Sequence, residues 1–309
     1  MTFSFYTWGA FITFIIVSLA VDLGVFNKTE KKPSFNNALV MTSTWFALAM
    51  VFGLILYHYE GQKASLDFIT GYVVELSLSM DNIFVFVLIF RSFKVPTQYQ
   101  HRVLFWGVMG AVIMRFTMIV FGVYLVQEFD WIFYIFGGFL IFSAIKLLLS
   151  SHTQEEVTKE SPVLNWIKTK MKVTKEFYGQ KFIVNVDGKT MFTPLALVLV
   201  LIEQTDLIFA LDSIPAILAI TQDPFIVFSS NIFAILGLRS LYFILVKVID
   251  KFVYLHYALA VILGYIGVKM IISVIGLHIS TSVSLAVIFS SLLIAVLASI
   301  MKAKAEKRL

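Results

Sequence analysis

The sequence predicts an all-α membrane protein of about nine transmembrane helices that contain an inverted repeat of two three-helix units. Three observations predict it. Of 309 residues, 59% are apolar and 14% charged, and the mean hydropathy is +0.90; soluble domains are about 45–50% apolar and about 25% charged. Apolar windows of about 20 residues, the length that crosses a bilayer, recur along nearly the whole chain. Two distant windows also carry acids at the same spacing. Cysteine is absent, which excludes disulfides, thiolate metal sites and Cys nucleophiles.

The windows place helices near 5–26, 38–59, 66–90, 102–126, 131–149, 194–220, 225–247, 253–274 and 282–301. The opening MTFSFYTWG has no basic n-region, so the first apolar stretch reads as a retained helix. Residues 1–149 form a first membrane half with one repeat unit at about 66–149. Residues 150–193 form a polar loop, and 194–309 form a second half with the other unit at about 194–274. Within the loop, VLNWIKTKMK reads as a short amphipathic helix and KFIVNVDGKTMFT as a hairpin about Asp187-Gly188.

Charge orients the helices. Alternate connections are basic: Lys28, Lys31 and Lys32; Arg91, Lys94 and Arg102; seven lysines from Lys159 to Lys189; Lys247 and Lys251; then Lys302, Lys304, Lys307 and Arg308. The intervening connections hold one basic residue, Lys63. By the positive-inside rule the basic loops are cytoplasmic, with the N-terminus outside and the C-terminus inside. The net charge of +5 reports this topology, and no nucleic-acid partner is expected.

The repeat lies in TGYVVELSLSMDNI and LIEQTDLIFALDSI. Glu75 aligns with Asp206, Asp81 with Asp212, Asn82 with Ser213, and six residues separate the acids in both copies. Arg115 answers Arg239, and Lys146 answers Lys269. Units of three spans enter the membrane from opposite sides, and inverted repeats with matching polar positions are a transporter pattern with the site between them.

A charge at the centre of a membrane helix costs about 2.5–3.5 kcal/mol on the insertion scale. Glu75, Asp81, Glu203, Asp206 and Asp212 therefore face inward, protonated, paired or coordinating a cation. Arg115 and Arg239 can neutralise two of them, with Lys146 and Lys269 as further ion-pair partners. A purely structural ion-pair lattice is the competing account. On a regular helix six residues turn about 600°, so both acids of a copy reach one site most easily if the helix unwinds between them. Pro215 supports unwinding in the second copy, because it leaves the Leu211 carbonyl without its N–H partner. Ser77, Ser79 and Asn82 add oxygen ligands in the first copy.

Carboxylate, amide and carbonyl oxygens without Cys or a helix-borne His suit Mg²⁺, Ca²⁺ or Mn²⁺. All five histidines fall at helix ends or in loops, which also removes an intramembrane protease from consideration. Met80 beside Asp81 would favour the softer Mn²⁺, although Leu211 stands there in the second copy. Asp22 reads equally as a gate or access ligand and as an interfacial acid.

GYVVELSLSMDNIFVF, VLFWGVMGAVIMR, the run TPLALVLVLIEQTDLIFALDSIPAILAITQDPFIVFSSNIFAILGLRSLYF, VILGYIGVKM and VDLGVF resemble the TerC/Alx family of bacterial integral membrane proteins over nearly the whole chain. That family is named for tellurium resistance, is placed in the lysine-exporter superfamily and is associated with divalent-metal handling, chiefly Mn²⁺ export. The resemblance implies metal ligands at Glu75, Asp81, Asn82, Glu203, Asp206, Asp212 and Ser213. The expectation is a Mn²⁺ exporter working by alternating access, with protons replacing the ion on its carboxylates and no organic cofactor. The alternatives are an oxyanion carrier built on Arg115 and Arg239, and a non-transporting membrane scaffold.

Overall fold

The computed structural model of the chain describes residues 4–26, 35–129, 131–149, 173–174, 176–186, 188–248 and 254–306; the side chains of 22–26, 81, 248 and 303–306 lie outside the description. The described residues form nine helices: α1 (Phe5–Phe26), α2 (Phe35–Glu60), α3 (Gln62–Ser92), α4 (Thr97–Glu128), α5 (Ile132–Leu149), α6 (Pro194–Leu218), α7 (Pro224–Val248), α8 (Leu255–Val274) and α9 (Thr281–Glu306). Eight are long and apolar enough to cross a membrane, and α1 adds a shorter apolar stretch, Phe5–Val21. The chain is thus the all-helical membrane protein its composition predicts.

Local chemistry fixes several helix starts. Pro194 and Pro224 open α6 and α7, where the missing N–H has no helical role. Asp223 caps α7: its Oδ1 accepts from the amides of Phe225 at 3.0 Å and Ile226 at 3.3 Å. Burial nevertheless holds its carboxyl above the usual carboxylate range.

The centre of the bundle is α7. Its span is 83% buried, against 17% for α2. It packs on α3, α4 and α2, while α6 packs on α3 and α4. Aromatic side chains bind α1 and α2 to this centre. The Phe11 ring lies 5.6 Å from Phe52, 5.4 Å from Phe225 and 6.0 Å from both Phe228 and Phe233, and Trp8 stacks on Phe228 at 5.8 Å.

Connecting α5 to α6, strands β1 (Ile183–Val186) and β2 (Lys189–Phe192) pair antiparallel with Val186 opposite Lys189. The two-residue turn holds Gly188 at φ +74°, a conformation that favours glycine. Asp187 and the stretch 163–172, where a short helix was expected, lie outside the described residues. The hairpin sits at one end of the bundle, where Arg102 of α4 stacks 5.6 Å from the Phe182 ring.

One expectation is corrected. The helix does not unwind between the paired acids: α3 runs unbroken from Gln62 to Ser92, and α6 continues through Pro215 to Leu218. Pro215 stands in the last turn, where few backbone bonds remain to be lost, and its own carbonyl still accepts from the amide of Ala219 at 3.0 Å.

The helices α5 and α8 form the most extensive pair, and glycine makes their approach possible. A Cβ on Gly137 would stand 2.8 Å from the carbonyl oxygen of Gly267, and one on Gly267 would stand 2.7 Å from that of Gly137. Membrane helices use such small residues to bring backbones together. Gly138 faces open space, with nothing within 4 Å of a Cβ. Gly267→Leu should therefore destabilise by about 1–3 kcal/mol or more through overpacking, and Gly138→Leu should be silent. Thermal denaturation of the detergent-solubilised protein checks both; equal midpoints would contradict this account of the α5–α8 contact.

Candidate functional site

Within the bundle, apolar residues form two clusters. One contains Val74, Leu78, Ala210, Ile214 and Leu236; the other contains Ile83, Phe86, Val198, Ile202 and Leu238. Along α3 and α6 the change from one cluster to the other falls at residues 79–82 and 203–209, which include Ser79, Asn82, Glu203 and Asp206, with Glu75 and Ser213 about one to two turns away.

Arg115, on α4, organises them. It is 1% exposed, and Glu75 and Asp206 are 0% and 3% exposed. Its guanidinium forks onto Asp206, with Nε donating to Oδ2 at 3.1 Å and Nη2 to Oδ1 at 2.9 Å. Nη1 donates to Oε1 of Glu75 and, at 3.3 Å, to the hydroxyl of Ser213. The Ser79 hydroxyl donates to the same Glu75 oxygen at 3.3 Å, and the Asn82 amide donates to Oδ1 of Asp206 at 3.2 Å. Glu75, Ser79, Asn82, Arg115, Asp206 and Ser213 thus meet in one cluster drawn from α3, α4 and α6.

The other predicted residues are placed differently. Glu203 stands one turn before Asp206 and lies against Gly110 of α4, where any Cβ would collide with its carboxylate. Asp212 accepts a hydrogen bond from Ser143 of α5 at 2.7 Å, and Lys146 follows Ser143 by one turn. Arg239 lies 5.9 Å from the Phe105 ring and, with Asp206, lines a buried cavity of about 20 Å³, room for about one water. Lys269 donates to Ser284 of α9 at 2.9 Å. Met80 packs against the second apolar cluster, and Leu211 is 48% exposed. The Asp81 and Asp22 side chains lie outside the described residues.

Three residues that sequence reading missed carry polar chemistry at buried or half-buried positions. Ser143 is the Asp212 partner. Asp67, on α3, accepts from Thr281 of α9 at 2.7 Å; an acid five residues into an apolar helix was a visible signal. Asn231, inside the quoted run on α7, is 0% exposed.

Charge and hydrogen bonding do not balance in the central cluster. Arg115 faces two carboxylates, and Oε2 of Glu75, Oδ1 of Asn82 and Oε2 of Glu203 are buried with no hydrogen-bond donor. All three are hard acceptors, the donor type that suits Mg²⁺, Ca²⁺ and Mn²⁺. Among the described residues, no three His, Asp or Glu side chains are grouped closely enough to hold a metal in this conformation.

Residues 59–307 match the integral membrane protein TerC family. The chain belongs to the TerC family. Among its relatives, an uncharacterised membrane protein of Myxococcus xanthus, STKORF319, is 46% identical over 263 residues, covering 85% of this chain and 82% of the relative. Alx of Escherichia coli K12 and of Photorhabdus laumondii, provisionally named a membrane-bound redox modulator, is 42% identical over 272 residues, covering 85% of this chain and 84% and 85% of those proteins. No solved structure matches.

Removing one partner of a buried charge pair leaves the other charge stranded, at about 3–5 kcal/mol. Arg115→Met should therefore lower the amount of folded protein in the membrane sharply, and Arg115→Lys should not rescue it, because an ammonium cannot make the two-nitrogen fork. Pairing Arg115→Met with Asp206→Leu should recover part of the loss. Membrane abundance and detergent thermal midpoints read all three.

Proposed function

We propose that this TerC-family chain carries a divalent cation, Mn²⁺ above Ca²⁺ or Mg²⁺, outward across the bacterial inner membrane. The N-terminus lies outside and the C-terminus in the cytoplasm. Units 66–149 and 194–274 act as an inverted repeat that rocks about the Arg115 cluster. Support for the repeat comes from the convergence of Glu75 and Asp206, aligned in the sequence, on one arginine, and from the reciprocal glycine contact of α5 with α8. Protons exchange for the cation on the carboxylates, since neighbouring buried acids do not both stay ionised easily once the cation leaves.

The observation that carries this reading is the surplus of acceptors: two carboxylates share Arg115, and three further buried oxygens have no donor. An oxyanion carrier would need the reverse surplus, and Arg115 is already committed to two acids. The scaffold reading draws on the same fork, which ties three helices together. The name given to the Alx relatives points to redox chemistry; this chain has no cysteine with which to pass electrons through a thiol.

Total cell Mn, Ca and Mg in a manganese-sensitive bacterial strain, measured at matched membrane levels, tests the proposal. The wild type should lower cell Mn several-fold, and Glu203→Gln and Asp212→Asn should each abolish most of that effect. Unchanged levels of all three metals with the wild type would leave the scaffold reading in its place.

A further inference from the structure

Asn231 is fully buried in α7, and neither its amide oxygen nor its amide nitrogen has a hydrogen-bond partner. Its neighbours behave differently. The hydroxyls of Ser229 and Ser230 donate to the carbonyls of Ile226 at 3.2 Å and Val227 at 3.1 Å, within their own helix. A buried amide left unsatisfied on both sides carries a full desolvation penalty, so a membrane helix retains one most readily where a ligand satisfies it in another state.

Its place in the bundle says which ligand. Ile235 and Leu238, four and seven residues on, share a helix face with Asn231 and line the small cavity that contains Asp206 and Arg239. On the α3 side, Gly71 leaves room for Ser230: a Cβ there would stand 2.9 Å from its hydroxyl and 3.4 Å from Ile217 of α6. Gly71 is one turn before Glu75. At the end of the bundle opposite the hairpin, a vestibule of about 1550 Å³ is lined by Leu218, Asp223 and Pro224 among others. Asn231 lies seven residues into α7 from Pro224, about 10 Å along the axis. Asp206 lies twelve residues before the end of α6 at Leu218, about 18 Å along its axis, so by depth Asn231 falls between the vestibule and the Glu75–Asp206 cluster, with its acceptor oxygen unused.

We propose that Asn231 is a transit ligand, whose amide oxygen takes one coordination position of the divalent cation as the ion passes between the central cluster and the vestibule. The inference rests on the cation-transport reading above. In the present conformation Ser230 and Ile217 stand close against Gly71, and the amide of Asn231 is unsatisfied; when the helices part, the ion and its water satisfy it.

The test uses the full chain in proteoliposomes, with Mn²⁺ flux followed by quenching of an enclosed fluorophore and with thermal midpoints measured in detergent. Asn231→Leu should cut initial flux by at least about tenfold, the loss expected when one contact to a charged ligand is removed. Its midpoint should stay level or rise, because an orphan amide gives way to an apolar group of similar size. Asn231→Asp keeps the oxygen and should retain most of the flux. Wild-type flux in Asn231→Leu, or a loss that tracks a falling midpoint, would overturn the inference while leaving cation transport standing. Should Asn231→Leu not fold, Asn231→Asp decides: retained flux supports the ligand role and lost flux overturns it. If the wild type moves none of Mn²⁺, Ca²⁺ or Mg²⁺, the transport reading falls and takes the inference with it.

Discussion

The guanidinium of Arg115 is the constraint on which the bundle depends. Glu75 and Asp206 come from helices far apart in sequence, both are buried, and a buried carboxylate without a partner charge is costly. One planar cation with its fork on Asp206 and its remaining nitrogen on Glu75 fixes α3, α4 and α6 in a single relative position. Lysine has the charge without that geometry. Buried pairs of this kind add little net stability over an apolar core; their worth lies in choosing one packing of helices whose greasy surfaces would accept several.

Around that choice the remaining helices divide the work. The glycine contact sets α5 against α8, and α9 is fastened by polar links: Thr281 donates to Asp67 of α3, and Ser284 receives Lys269 and meets Tyr265 at 3.1 Å. The family match begins at residue 59, in the last turn of α2. Nearly all of α1 and α2 thus lies outside it, yet the Trp8, Phe11 and Phe52 rings pack on Phe225, Phe228 and Phe233 of α7.

The helices were legible because bilayer thickness imposes a length and apolarity that few other constraints produce. The acids were legible because charge is rare inside such segments. Their partners were not. Matching Glu75 with Asp206 and Arg115 with Arg239 suggests two equal ion pairs, whereas one arginine serves both carboxylates and Asp212 turns to Ser143 on a different helix. Side-chain reach across helices decides that, and linear spacing does not encode it. Pro215 misled for a related reason: proline deletes one hydrogen bond wherever it stands, but three residues from the end of α6 the helix runs on past that deletion to Leu218 instead of opening. Asn231 escaped notice because an amide carries no charge, and a single amide in an apolar run looks like packing until its missing partners are seen.

The Arg115 cluster also limits how any cation could be handled there. A divalent ion needs the carboxylate oxygens that the guanidinium now holds, so ion and arginine compete for Glu75 and Asp206. At 4 Å, with an effective dielectric of about 20, one charge pair is worth about 4 kcal/mol, and a doubly charged ion gains about twice as much from each carboxylate before its own dehydration is subtracted. That margin is enough to displace the arginine only if water, a proton or further oxygens complete the exchange. The unpartnered oxygens of Glu75, Asn82 and Glu203 are such further oxygens. A cation held this way is bound reversibly instead of trapped, because the displaced arginine remains on α4 within reach of the same acids. If the site binds and releases a cation as proposed, an internal competitor serves it better than a stronger set of ligands would.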